Sequence, residues 1–312
     1  MGGNRFTGSS VKRLFYPAGT WLLKGLGLLA AKCSRQTILK LSHLAGDFIF
    51  FVLGIRRRLV LDNLAASFPD KDPREIRSIA RKVYQNQVFN FAELLRVPLI
   101  RNPEDASLLM SIDSAPELGR ILDRESGAVI VSGHYGSWEV LAVCFGLLYR
   151  PVHLVVKSIR NRSLDSYITS LRTWHGNTVI HKKKALRQGL NVLRNRGILL
   201  IMADQSNKKK DYYLSFLNRR ASVFLGPAYL ALKAEVPMYA VFCRRDEKGQ
   251  YRVTLRRVQT SDLSCTREDI RTLARRYTLL LEEFIISYPQ EWLWLHNRWK
   301  HSPQARTDND LC

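Results

Sequence analysis

Two runs of consecutive apolar residues restrict this chain more than anything else in it. Residues 128–131 (AVIV) and 198–203 (ILLIMA) have no polar alternation, and turn-forming residues bound them: Ser132-Gly133 after the first and Gly197 before the second. A strand of that kind is buried on both faces. Around them, strand-like and helix-like segments alternate. A strand is expected at 152–157, a helix around 164–174, a short strand at 178–180, and a helix carrying Leu186, Leu190 and Leu193. A helix opening at Gly226-Pro227, strands at 238–243 and 252–258, and a long helix capped by Thr266 and running through Ile285 follow. This order predicts an α/β fold, a mostly parallel central sheet flanked by helices on both faces.

The first sixty residues follow a different pattern. Residues 14–31 and 38–55 approach membrane-spanning length, yet Lys24 interrupts the first and Lys40, His43 and Asp47 the second. A charge near mid-bilayer costs about 2.5–3.5 kcal/mol on insertion scales, so a shallow hairpin or interfacial helices fit better than a single crossing. Basic residues flank both runs, Arg56-Arg57-Arg58 among them. No small-residue cleavage site marks the segment as a removable signal. The division expected is a membrane-associating helical segment at 1–58, an α/β domain at 59–303 and a polar, disordered tail at 304–312. Within the domain, Asp72-Pro73-Arg74-Glu75 is a capping box that opens a long helix ending near Pro98.

The net charge of +22 calls for an anionic partner. Nucleic acid is set aside because no nucleic-acid motif is present and the apolar N-terminal segment would have no purpose there. Five widely spaced cysteines without a CxxC pair indicate neither a disulfide scaffold nor a zinc finger. Nothing in the residues sets an oligomeric state.

Chemistry is concentrated at residues 127–139 (GAVIVSGHYGSWE), where a buried strand meets a tight turn, then His134, then a helix with Glu139 in its first turn. Such a position, at the carboxyl end of a strand in an open sheet, is where ligands gather. Five residues on a regular helix span about 500°, so the two side chains can meet only with His134 in the turn. The expectation is a base whose tautomer Glu139 fixes. HExxH spacing is absent, so no metal site is expected. With neither a GxSxG elbow nor a cysteine beside His134, no covalent nucleophile is evident. Asp204, at the end of the second apolar run, lines the same cleft or caps a turn.

GHYGSWE, residues 133–139, resembles the GHxGNWE signature of the bacterial lipid A late acyltransferases, the lauroyl and myristoyl transferases related to the phosphatidylinositol mannoside acyltransferases. Asn63-Leu64 with Phe68-Pro69, Asp204-Gln205, residues 216–227 and residues 289–300 resemble further blocks in the same order, with Ser137 and Leu217 as departures. The resemblance implies a glycerolipid-acyltransferase-like fold on the cytoplasmic face of a bacterial inner membrane. It implies transfer of an acyl chain from acyl carrier protein to a hydroxyl of a membrane glycolipid, a lipid A precursor, with no cofactor. His134, Glu139 and Arg172 become the expected catalytic residues, with Arg172 the cation for the oxyanion. Asp204, Gln205, Lys157, Lys208, Lys209 and Lys210 become the expected substrate-binding residues. The alternatives are another membrane lipid as acceptor, or a non-catalytic lipid-binding protein at the membrane surface.

Overall fold

In a computed structural model that describes residues 9–113, 119, 126–207, 212–247 and 249–302, with side chains from residue 18 onward, the two apolar runs lie side by side. The strands are β1 (Met110–Ile112), β2 (Ala128–Ser132), β3 (Val152–Val156), β4 (Thr178–His181), β5 (Ile198–Met202), β6 (Tyr213–Phe216), β7 (Arg219–Ser222), β8 (Met238–Arg245) and β9 (Tyr251–Val258). Seven form one sheet in the order β1-β9-β8-β2-β5-β3-β4, and β6 and β7 form a separate antiparallel hairpin. Five of the six pairings in the large sheet are parallel. Only β8 and β9 run antiparallel, because a tight turn at Asp246–Gln250 joins them directly.

The uninterrupted strands are buried on both faces, as their composition requires. Val129 and Val131 of β2 point into one core with Leu199, Ile201, Met238 and Ala240. Ala128 and Ile130 point into the other with Ile198, Leu200, Tyr239 and Val241. The helices that cover these faces are α1 (Ser9–Lys32), α2 (Arg35–Phe48), α3 (Arg57–Ser67), α4 (Pro73–Leu95), α5 (Pro103–Leu109), α6 (Trp138–Leu148), α7 (Arg162–Arg172), α8 (Ala185–Arg194), α9 (Gly226–Ala234) and α10 (Arg267–Ser287). Asp72 accepts from the backbone N–H of Arg74 and Glu75 while Glu75 returns a bond to Asp72, which is the expected capping box.

Three local features depart from the expectations or lie beyond them. In α8 the buried positions are Ala185, Gly189 and Leu193, and Leu186 is exposed, so the helix is rotated from the phase its leucines suggest. No sequence expectation covers the β6–β7 hairpin, which lies between the second apolar run and α9. Its two turn residues, Leu217 and Asn218, both have positive φ (50° and 63°), and no Asn-Gly or Asp-Gly pair announces the turn. β1 has three residues, too few for a pattern. Lys208, Lys209 and Lys210 and the tail at 304–312 lie outside the described residues.

The N-terminal helices pack on α4. Gly46 allows the close approach: a Cβ there would stand 2.6 Å from Gln85 Cα. Asp47 accepts both Arg81 Nε (2.7 Å) and Arg81 Nη2 (2.6 Å), and Gln85 adds a bond at 2.8 Å. At the other end, buried Glu93 binds Arg35 at 2.9 Å and Arg96 at 3.4 Å, and Arg96 also donates to the carbonyls of Ala30 and Cys33. α2 runs into a π turn, Ile49–Leu53. The combined helix, Arg35–Leu53, is long and apolar enough to cross a membrane by length and composition, and only 22% of its apolar window is buried. Leu44, Phe48, Val52, Leu53 and Ile55 are exposed there, and Trp21, Leu22 and Leu28 on α1.

Candidate functional site

The site follows from strand register. β2 and β5 are parallel neighbours with Ser132 opposite Met202, and the Ala203 N–H donates to the Ser132 carbonyl at 2.8 Å. The residues that leave the two strands, His134 and Asp204, therefore emerge side by side. Gly136 is essential to the turn between them and α6. Its φ is +57°, and a Cβ there would lie 1.6 Å from the Cys243 carbonyl oxygen, which only glycine avoids.

His134 Nδ1 lies 2.7 Å from Asp204 Oδ1. A carboxylate only accepts, so Nδ1 carries the proton and Nε2 presents its lone pair. The Gln205 amide nitrogen sits 3.3 Å from Nε2. Asp204 Oδ2 takes two more donors, the backbone N–H of His134 at 2.8 Å and the Trp292 indole N–H at 2.8 Å. Burial would drive the Asp204 carboxyl up, yet His134 and these hydrogen bonds together hold it well below the ordinary carboxylate range. Burial likewise pushes the His134 imidazole down, but Asp204, with Glu139 adding to it, more than offsets this and raises its pKa above 6.5.

The partner of His134 is therefore Asp204, and the expected bond from Glu139 is replaced by another. Glu139, in the first turn of α6, takes Arg172 from the last turn of α7, with Nε at 2.8 Å from Oε2 and Nη2 at 2.5 Å from Oε1. The reason is positional. Glu139 starts a helix that leads away from the strand end, whereas the β2–β5 register delivers Asp204 directly to the imidazole. Residue spacing along the chain could not show this, because His134 and Asp204 are 70 positions apart with three strands between them.

Both pairs open on a cleft of about 440 Å³. Leu154, Val156, Leu200, Met202 and Phe224 give it apolar walls, and Lys157, Arg172 and Lys182 give it cations. Lys182 lies 4.9 Å from the Phe224 ring centroid. His134, Glu139, Arg172, Gln205 and Lys157 are thus gathered at one cleft, with Asp204 directly behind the imidazole. Sequence reasoning missed the contribution of residues 292–298. This loop pairs with the turn after β2 through a Tyr135–Trp292 bridge, and Leu293 N–H donates to the His134 carbonyl at 3.0 Å. Trp292 and Trp294 are 1% and 0% exposed, so they belong to the core. His296 lines the cleft and accepts the Ser206 N–H at 3.3 Å, and burial lowers its pKa. The signal available was the density of aromatic and basic residues in WLWLHNRWK.

The blocks read from the sequence also meet in space. Arg219 of the hairpin donates to Asn63 Oδ1 at 3.2 Å and to Ser67 Oγ at 2.9 Å, and Phe68 packs on Trp294 with centroids 5.9 Å apart. Among the described residues no cluster of histidine, cysteine or carboxylate side chains could hold a metal ion, and Cys33, Cys144, Cys243 and Cys265 are unpaired.

A histidine locked by a buried aspartate at the carboxyl ends of parallel strands, above an apolar-walled cleft, defines an α/β protein built around a candidate general base. The sequence profile of the bacterial lipid A biosynthesis acyltransferases matches residues 9–301, and the chain belongs to that family. It is 24% identical over 212 residues to the phosphatidylinositol mannoside acyltransferase of Mycolicibacterium smegmatis (strain ATCC 700084 / mc(2)155), an alignment covering 66% of this chain and 67% of that protein. Acyl transfer is the activity both relationships indicate.

Proposed function

We propose that the protein transfers a fatty acyl chain from the thioester of acyl carrier protein to a hydroxyl of a lipid A precursor, at the cytoplasmic face of the inner membrane. The observation that carries this reading is the Asp204–His134 pair, opening into a cleft whose walls suit an acyl chain and whose cations suit a phosphorylated headgroup.

His134 Nε2 takes the proton of the acceptor hydroxyl, in the place where the Gln205 amide now rests. Asp204 holds the ring in the Nδ1–H tautomer and stabilises the imidazolium. The acceptor oxygen attacks the thioester carbonyl, a C–O bond forms, and the C–S bond breaks as the tetrahedral intermediate collapses. The departing thiolate recovers the proton from His134 Nε2. Arg172, held in place by Glu139, supplies positive charge for the oxyanion. No acyl-enzyme is required, and among the described residues the cleft lining contains no cysteine. Lys157 and Lys182 meet phosphate, and the Lys208-Lys209-Lys210 run adds positive charge for the acidic carrier or the lipid. The exposed apolar residues of α1, α2 and the π turn, beside Arg56, Arg57 and Arg58, bring the cleft to the membrane.

A second acceptor class has an observation in its favour, since the mycobacterial relative acts, by its name, on a phosphatidylinositol mannoside. The test is transfer by the purified protein in mixed micelles, with labelled acyl carrier protein or acyl coenzyme A as donor and each glycolipid as acceptor, read by mass spectrometry. Product only from acyl carrier protein and lipid A precursor, and none with His134→Ala, is the expected result. Full activity of a folded His134→Ala protein removes the base from the mechanism.

A further inference from the structure

We propose that Arg298 is a positioning residue, a buried cation that from the protein interior opposes the proton held by the Asp204–His134 pair and so sets the proton affinity of His134. The inference rests on the reading of His134 as a base.

Arg298 is 1% exposed. Its Nη1 donates to the Ser222 carbonyl at 2.6 Å, its guanidinium carbon stands 5.4 Å from the centroid of the Phe216 ring, and its buried Nε has no hydrogen-bond partner. Among the described residues no carboxylate forms an ion pair with it. A guanidinium removed from water without a counter-charge costs several kcal/mol, and an apolar side chain of similar size would cost nothing of the kind. A counter-charge is nevertheless at hand. Arg298 and Asp204 line the same small pocket of about 10 Å³, along with Ser132, Phe242, Tyr277 and Thr278. That space is close to the size of one water molecule. Asp204 is the one carboxylate among the residues lining it. The Tyr277 hydroxyl is committed to the Phe224 carbonyl at 2.5 Å, and burial raises its pKa, so it remains neutral.

The groups around Asp204 are then accounted for. His134 and the Trp292 indole bind the carboxylate directly. Glu139 and Arg172 form a closed pair across the cleft, and His296 is kept neutral by burial. Burial pulls the Arg298 guanidinium down to about 10 and Asp204 opposes this, which leaves it a cation at neutral pH. Its field lowers the cost of an ionised Asp204 and raises the cost of a proton on His134. Without it, the Asp204–His134 pair would hold its proton to higher pH.

The experiment reads His134 itself and needs no substrate. Full-length protein in detergent micelles is labelled with diethyl pyrocarbonate, which reacts with the neutral imidazole, from about pH 5 to about pH 9. The rate at His134 is followed by peptide mass spectrometry. Arg298→Met and Arg298→Gln are expected to move the midpoint upward by roughly one pH unit, a labelling rate about tenfold lower at a fixed pH below it. Arg298→Gln can still donate to the Ser222 carbonyl, so it serves where Arg298→Met does not fold. Arg298→Lys keeps the charge and the midpoint. An unchanged or lowered midpoint in a neutral variant that unfolds cooperatively overturns the proposal, and a fall in Tm alone would mark Arg298 as merely structural. These outcomes differ from failure of the base reading, which shows as an active His134→Ala protein whatever the midpoint.

Discussion

The cleft is bordered by two carboxylate–cation pairs that differ in kind. Asp204 is 4% exposed, holds three donors and faces a partner whose charge can change. Glu139 is 13% exposed and faces Arg172, whose charge cannot. A partner with a variable charge can take and return a proton, whereas a fixed ion pair can only place a charge and hold two helices at a set distance. The signature histidine and glutamate, five residues apart, thus belong to different pairs with different duties.

Breaking the first pair has the largest expected effect. Asp204→Asn leaves Nδ1 without its carboxylate, and kcat is expected to fall by about 10³–10⁴. The pH profile carries the sign. In the parent protein the imidazole pKa is raised, so activity rises with pH through a midpoint above 6.5. With Asp204 neutralised, burial is no longer offset and the residual activity should rise through a lower midpoint. A midpoint that stays put would mean that Glu139 governs the imidazole after all.

Breaking the second pair should cost less. Arg172→Met is expected to lower kcat by about 10²–10³, with the acid limb moved little. Glu139→Gln should cost a similar amount, and the double variant no more than the worse single one, because the two side chains act as a unit. Additive losses in such a cycle would show separate roles.

A third buried acid sharpens the contrast by forming no ion pair among the described residues. Glu291 accepts Asn86 Nδ2 at 3.2 Å, and its backbone carbonyl accepts the Gly136 N–H at 2.9 Å, behind the turn that carries His134. Burial pushes its carboxyl up to about 7, against the opposing arginines 245 and 244. The folded state therefore binds more protons than the unfolded one between about pH 4.5 and about pH 7, and stability falls as pH rises through that window. Glu291→Gln, which keeps the shape of the protonated acid, should remove this slope and gain roughly 2–3 kcal/mol at pH 8 in chemical denaturation. Gln205→Ala should have the smallest effect, a change in kcat/KM of no more than about fivefold, since its one neutral hydrogen bond at Nε2 is given up when the acceptor hydroxyl takes that place.

The α/β fold was legible because uninterrupted apolar runs such as residues 128–131 and 198–203, bounded by turn residues, read as strands buried on both faces. Caps at Asp72 and Thr266 marked the long helices. The hairpin escaped because its turn contains Leu217 and Asn218 in place of glycine. The cleft residues were legible one by one, but their pairing was not. Strand order decides it, and β5 stands beside β2 although β3 and β4 come between them in the chain. Trp292 and Arg298 were hidden because an aromatic or arginine in a loop has the same local pattern whether it faces solvent or completes a buried carboxylate's surroundings.

The wide separation of the groups around Asp204 also has a consequence in time. His134 comes 70 residues before it and Trp292 comes 88 after it, while α1 and α2 precede all three. A chain made from its N-terminus exposes these apolar helices while the Asp204–His134 pair is still incomplete. On the proposed function, a nascent chain would thus reach its membrane before its base is assembled.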